Sequence, residues 1–389
     1  MLKVGKSSRL AQVSKRLLRY AVVVVVGIAV ILTLLLLAWD DGISVANDRQ
    51  IMPGVRLNLQ TAVTSRGRVE YDLYGSQGPV VLSIHGGFGG ADQGRLFAIW
   101  LQDEGFRILS PSRPGYLGTP LESGRTYDEQ ADLLAALLDY LKVEKVGLLS
   151  YSAGSPVAYT FAARYPDRVW GLVSVAGVSR YEARGSSGSA MQAAFLNSVG
   201  NKLVRLFADV APRAFLEGTL DETSYFATER KEQRTAYIMD VPEKRAIFEA
   251  LLNTTFPYNQ RMAGNDNDIE QAPSVQALAF EEIKTPTLIV HGTHDADVPF
   301  YNGVYAYEHI PGAQRYWLEQ EDHLGFWLSP DAGISQNIAL DFLLRHAPTT
   351  QMDSPPSTTS KTSVGCLWSP GSLVPCNQHI GKFYINSPN

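Results

Sequence analysis

One long uninterrupted apolar run precedes a body in which two shorter kinds of apolar pattern alternate. The run, Ala21 to Trp39, has Thr33 as its only polar side chain. As a helix at about 1.5 Å per residue it covers roughly 28 Å, close to a bilayer core, and it predicts a transmembrane helix over residues 20–39. Residues 40–67 read as a linker with Asp, Gly, Asn and Pro. From Arg68 onward come short β-type stretches, Arg68–Tyr74, Pro79–Ile84, Arg107–Leu109, Lys145–Leu149, Val169–Ala176, Pro286–Val290 and Gln314–Leu318. Helical stretches lie between and after them: one opened by the capping box Thr126-Tyr127-Asp128-Glu129 and running through Leu141, one over Ala153–Tyr165, and one over Ile334–His346. Short buried strands alternating with helices predict an α/β fold with a mostly parallel central sheet flanked by helices. Between 177 and 283 the rhythm is helical only, as in Met191–Phe207 and Pro242–Leu252. That predicts an inserted helical cap, dividing a core made of 68–176 and 284–347. Residues 348–389 form a low-complexity tail, rich in Ser, Thr and Pro from Pro348 to Ser363.

Composition narrows the classes. With 45% hydrophobic and 19% charged residues among 389, the chain can bury a substantial core and is not disordered as a whole. Residues 1–19 hold Lys3, Lys6, Arg9, Lys15, Arg16 and Arg19 and no acid, while the whole chain is at -5, so the body is acidic and no nucleic-acid partner is expected. The basic cluster before the apolar run, with Asp40 and Asp41 after it, implies a single-pass protein. By the positive-inside rule residues 1–19 are cytoplasmic and the body is extracytoplasmic. A cleaved signal ending at Ser44-Val45-Ala46, and secretion, is the alternative. The two cysteines, Cys366 and Cys376, could form one disulfide or remain free thiols.

Candidate chemistry begins where the strand Val146–Leu149 runs into Ser150-Tyr151-Ser152-Ala153-Gly154 and then a helix. A nucleophile at a tight strand-to-helix turn needs small neighbours two residues away on either side. Ser150 and Gly154 meet that need around Ser152, although Ser150 stands where glycine is usual. Farther on, His291-Gly292 closes a strand and His294-Asp295-Ala296-Asp297-Val298-Pro299 follows. This puts a carboxylate at the carboxyl end of a parallel strand, where open α/β sheets bind ligands. Glu321-Asp322-His323-Leu324-Gly325 comes just after the last strand.

In these residues the chain resembles an α/β-hydrolase with a helical cap, from about Arg68 to His346, in the order nucleophile, acid, base. His85-Gly86-Gly87-Phe88-Gly89-Gly90 resembles the oxyanion loop of that superfamily, and its glycine run is similar to that of the proline iminopeptidase branch. Ser112-Arg113-Pro114-Gly115-Tyr116 resembles the segment after the family's fourth strand. The resemblance implies Ser152 as nucleophile, His323 as general base and Asp295 as the acid that orients it. Backbone N–H groups of Ala153 and Gly87, with Phe88 as the alternative, would form the oxyanion hole. Asp297 is the alternative acid. His85 and His291 read as structural or pocket-shaping. His294 beside Asp295 invites a metal reading, but no Cys or carboxylate stands at ligand spacing, so neither a metal nor any other cofactor is expected.

The expected activity is that of a membrane-anchored serine hydrolase, cleaving an ester or related acyl bond through a covalent acyl-enzyme. Its expected partners are a small-molecule ester or peptide-like substrate and the lipid bilayer. Serine rather than aspartate at 152 disfavours epoxide and haloalkane chemistry. An aminopeptidase of the proline iminopeptidase kind is one alternative, although Glu217, Glu222, Glu229 and Glu232 do not single out an acid to grip a substrate amine. A perhydrolase or carbon–carbon hydrolase uses the same triad, and an inactive hydrolase fold serving as a binding module is the remaining reading. The cap is expected to overhang Ser152, with Phe195, Leu196, Leu203 and Phe207 as candidate pocket residues.

Overall fold

The four strands with the most continuous apolar sequence, Val80–Ile84, Val146–Tyr151, Val169–Val175 and Thr287–Gly292, are buried at every position. A strand covered on both faces has no solvent side to alternate toward, hence the uninterrupted runs. The computed structural model describes residues 26, 27, 30, 50–181 and 198–348. In chain order its strands are β1 (Gln50–Met52), β2 (Val55–Arg56), β3 (Leu59–Thr64), β4 (Gly67–Tyr74), β5 (Val80–Ile84), β6 (Arg107–Pro111), β7 (Val146–Tyr151), β8 (Val169–Val175), β9 (Thr287–Gly292) and β10 (Gln314–Leu318). The helices are α1 (Ala91–Phe97), α2 (Tyr127–Tyr140), α3 (Ser155–Arg164), α4 (Ser198–Val210), α5 (Pro212–Thr223), α6 (Thr228–Asp240), α7 (Pro242–Asn253), α8 (Met262–Gln271), α9 (Tyr301–His309), α10 (Gly325–Leu328) and α11 (Ala332–His346).

β1 and β2 form a small hairpin, and the other eight strands form one sheet in the order β10-β9-β8-β7-β5-β6-β4-β3. From β6 through β10 every neighbouring pair is parallel, while β4 runs antiparallel to both β3 and β6. Leu82, Leu148 and Leu172 lie side by side in register across β5, β7 and β8, each fully buried. They share a core with Leu134, Leu137 and Leu138 of α2 and Val157 and Phe161 of α3. Truncating one such leucine to alanine costs about 2–5 kcal/mol. Because β5, β7, β9 and β10 run the same way, the segments leaving their carboxyl ends emerge along one edge of the sheet. Those segments carry His85–Gly90, Ser152, Asp295 and His323.

The chain divides into two compact units. The larger comprises Val45–Ser187 and Ala211–Asn389 and contains the sheet. The smaller comprises Met1–Ser44 and Gly188–Val210, and α4 is its described helix. Along α4, Leu203, Leu206, Phe207 and Val210 are exposed. Phe195, Leu196, Cys366, Cys376, the Ser44-Val45-Ala46 site and the tail from 349 lie outside the described residues. Between β8 and β9 the described chain of the larger unit is helical, from α5 through α8.

The expected transmembrane helix requires correction. A span needs about 20 consecutive apolar helical residues. Of positions 20–39 only Val26, Gly27 and Val30 are described, the others lying outside the described residues, and among the described residues no helix is long and apolar enough to cross a membrane. The expectation rested on a hydropathy run that no described helix matches. The membrane-anchored activity, the bilayer as partner and the orientation with an extracytoplasmic catalytic domain depended on that helix and are withdrawn with it.

Candidate active site

Ser152 sits where β7 turns into the single 3-10 turn Ser152–Gly154 and then α3. Its φ of 51° is in the left-handed region, a strained conformation for a serine and one expected of a residue at a tight strand-to-helix turn. Gly154 lets the turn pass against β5, since a Cβ there would collide with the His85 carbonyl oxygen. At Gly86 a Cβ would stand 2.9 Å from the Tyr151 ring and 3.2 Å from Ser152 Cβ, so only glycine lets that loop approach the serine.

Ser150, in place of the usual glycine, is fully buried and hydrogen-bonded to Ser155 Oγ at 3.0 Å. Ser155 in turn meets Ser174 at 3.1 Å, and Ser174 meets the Tyr159 hydroxyl at 2.7 Å. The departure from the motif thus places a satisfied hydroxyl chain beneath the turn, where a bare buried hydroxyl would be costly.

Asp295 and His323 are brought together. His323 Nδ1 donates to Asp295 Oδ2 at 2.7 Å, and Asp295 Oδ1 accepts the Val298 N–H at 2.8 Å. Burial opposes charge on His323, but Asp295 and then Asp297 outweigh it and raise its pKa to about 9. Burial likewise opposes the Asp295 carboxylate, yet the His323 charge and hydrogen bonds from His291 and His323 hold its pKa below the ordinary value. The Tyr151 ring, next in sequence to Ser152, lies 4.8 Å from the imidazole. Among the described residues no hydrogen bond joins Ser152 Oγ to His323; Nε2 instead has Asp297 Oδ2 at 3.3 Å.

His85 and His291 are held by backbone partners. His85 Nε2 accepts the Arg113 N–H at 2.9 Å, so its Nδ1 donates to Gly86 O at 2.7 Å. Burial first, then the Arg113 charge, push its pKa well below the ordinary value, leaving it neutral. His291 Nε2 donates to Val298 O at 2.8 Å and stands 3.4 Å from Asp295 Oδ2. Among the described residues no group of three or more His, Cys, Asp or Glu could hold a metal ion.

On the glycine loop, Phe88 has φ 58° and its ring lies 6.0 Å from Tyr258. The Gly86 N–H is taken by Gln93 Oε1 at 3.1 Å. Gly87 is half-buried, and the position a Cβ would take there is 3.6 Å from Asn265 Oδ1. Ala153 is the second residue of its turn, where a helical N–H has no partner within the turn. Glu217, Glu222, Glu229 and Glu232 are all exposed.

Sequence reasoning missed the residues that brace these loops. Arg113, 1% exposed, forms a bidentate pair with Asp268 of α8 at 2.7 and 2.5 Å and donates to Gly86 O at 3.2 Å. Arg261 binds Asp92 at 3.1 and 2.8 Å and donates to Gly89 O at 2.6 Å. Two arginines therefore hold the glycine loop by its carbonyls. Beside His323, Arg234 of α6 pairs with Glu321 and stands 3.7 Å from Asp322. Burial raises the pKa of both carboxyls against the opposing Arg234 charge. The end of α5 also reaches the site: Thr223 O accepts the Ala296 N–H at 3.1 Å and faces the His323 N–H at 3.5 Å. The carboxylate partner of each of these arginines is more than 80 residues away in sequence, which leaves no local pattern to read.

The family described as alpha/beta hydrolase fold matches residues 79–330. The chain belongs to the α/β-hydrolase family. An alpha/beta hydrolase fold protein from Nakamurella multipartita is 39% identical to it with a TM-score of 0.68, over 73% of this chain and 98% of that one. Among curated proteins, the uncharacterized hydrolase YcgS of Bacillus subtilis (strain 168) is 26% identical over 74% of this chain and 99% of its own length. The 2-hydroxy-6-oxononadienedioate/2-hydroxy-6-oxononatrienedioate hydrolase of Escherichia coli (strain K12) is 24% identical over 72% and 91%. Fold and relatives together make this α/β-hydrolase a hydrolase of that superfamily.

Proposed function

We propose that this α/β-hydrolase is a serine hydrolase that cleaves a carboxylic ester through a covalent acyl-enzyme. The observation that carries the reading is the 2.7 Å bond between His323 Nδ1 and Asp295, beside a Ser152 turn at φ 51°. With Nδ1–H committed to Asp295, neutral His323 presents a bare Nε2 as the base. In the first step Nε2 takes the Ser152 proton as Oγ adds to the ester carbonyl. The tetrahedral oxyanion is received by the N–H groups of Ala153 and Gly87, with that of Phe88 as the alternative donor. His323 then returns the proton to the departing alkoxide, leaving acyl-Ser152 and a free alcohol. Water, deprotonated by the same nitrogen, releases the acid and restores the serine. The helices between β8 and β9 in the larger unit serve as its cap, a role supported by their bonds to the acid, base and glycine loops.

A fluorophosphonate probe tests the nucleophile. The folded chain should label at Ser152 and hydrolyse short-chain aryl esters, and Ser152→Ala should abolish both with little change in melting temperature. Labelling that persists in Ser152→Ala, or turnover that survives it, would remove Ser152 from this role. His323→Ala should lose about as much turnover, because the two residues act as a unit.

A further inference from the structure

Asp297 is the charged group in contact with the candidate triad that the proposed reaction leaves idle. It lies two residues beyond Asp295, in the loop from β9 to α9. Its side chain is 54% exposed, and its Oδ2 stands 3.3 Å from His323 Nε2. Among the described residues this is its only ionic contact. Asp297 therefore faces the imidazole from the side opposite to Asp295, on the nitrogen that deals with the reacting atoms, and it cannot fix the Nδ1 tautomer as an orienting acid must.

The position has a consequence for substrate choice. In the reaction proposed above, Nε2 delivers a proton to the leaving oxygen, which must then approach it within about 3 Å. The leaving group therefore passes next to the Asp297 carboxylate, whose partial exposure leaves its charge only partly screened. A nitrogen cation two carbons beyond the ester oxygen can reach contact distance of that carboxylate. An anion at the same place meets repulsion.

We propose that Asp297 is a specificity-determining residue on the leaving-group side of the scissile bond, selecting esters of alcohols that carry a cationic nitrogen, of the amino-ethanol type. The inference rests on the serine-hydrolase reading and adds the class of substrate to it.

The test uses two esters of one shape, choline acetate and 3,3-dimethylbutyl acetate, in which carbon replaces the charged nitrogen. The full chain and Asp297→Asn are assayed at low and at physiological salt. The expected ratio of kcat/KM, cationic over neutral, is about three- to fivefold at low salt in the unaltered chain, the size of a partly exposed ion pair. It should shrink with salt and fall to about one in Asp297→Asn. A ratio near one in the unaltered chain, or a preference that survives Asp297→Asn, overturns the proposal while leaving the hydrolase reading intact. If neither acetate turns over, the labelling rates of Ser152 by methylphosphonates bearing the same two leaving groups give the same ratio. Absence of labelling at Ser152 would sink the hydrolase reading, and this inference with it.

Discussion

The base of the proposed reaction should titrate far from the usual histidine range, and the structure sets the size of the displacement. His323 faces Asp295 at Nδ1 and Asp297 at Nε2, with Asp322 as a further negative group. Arg234 opposes Asp322, and His291 stands on the far side of Asp295. Burial works against the imidazolium, but these carboxylates raise its pKa from 6.5 to about 9. Only neutral His323 can accept the serine proton. At pH 7 about one molecule in a hundred of the free enzyme would then be competent, against roughly three in four for an unperturbed histidine. The assay is the pH dependence of kcat/KM for an uncharged ester, which reports the free enzyme. It should climb about tenfold per pH unit from pH 6 to 8 and level off only above about 9. A plateau reached by pH 7.5 would refute the reasoning, because it would mean that the carboxylates do not hold the proton.

The same ionisation couples to folding, with a definite sign. The folded pKa lies above the unfolded value, so the stabilisation is fully present below about 6.5 and is lost as pH rises through about 9. Over that window it amounts to about 3 kcal/mol for a buried group. Paired melts of the unaltered chain and His323→Gln should therefore converge in stability as the pH rises.

Two further outcomes follow from buried polar groups. Arg261→Met removes the bidentate pair with Asp92, 1% exposed, and should cost about 3–5 kcal/mol in denaturant unfolding, with most of the loss recovered when Asp92→Leu is added; a single-variant loss under about 1 kcal/mol would count against a tightly buried pair. Ser150→Ala removes one end of the Ser150–Ser155–Ser174–Tyr159 chain and should cost about 1 kcal/mol while fluorophosphonate labelling of Ser152 persists, and loss of labelling would show that the hydroxyl shapes the turn itself.

What could be read in advance was what a single stretch of sequence encodes. β10 has the limits Gln314–Leu318 that its pattern predicts, and α2 carries the capping box expected at Thr126 and Glu129. β3 lies in the stretch that reads as linker because it is an edge strand whose polar Gln60, Thr61 and Thr64 dilute the apolar signal. α1 was missed for a different reason. All seven of its residues are buried, including Asp92, Gln93 and Arg95, so it shows no amphipathic period. Asp92 pairs with Arg261, Gln93 accepts the Gly86 N–H, and Arg95 donates to Gln102 at 2.8 Å with Asp72 at 3.7 Å from its Nε. At the candidate site, spacing put Asp295 and Asp297 on one loop, but which imidazole nitrogen each faces depends on how the loops from β9 and β10 pack, and no local pattern records that.

The arginine pairs explain why the helices between β8 and β9 matter to a site that lies on the sheet edge. A buried ion pair gains little over a well-packed apolar contact of the same volume, and can even cost stability. Its distinguishing property is geometric: an apolar surface tolerates a shift of an ångström or two, whereas a bidentate guanidinium–carboxylate pair does not. Arg113 engages Asp268 of α8 and the Gly86 carbonyl together, and Arg261, which immediately precedes α8, engages Asp92 and the Gly89 carbonyl. A displacement of α8 therefore strains both pairs at once and pulls on the two carbonyls that bracket Gly87 and Phe88. The orientation of those peptides, and with it the direction of the N–H groups that the proposed reaction offers to an oxyanion, is tied to one seating of a helix that carries neither Ser152 nor His323.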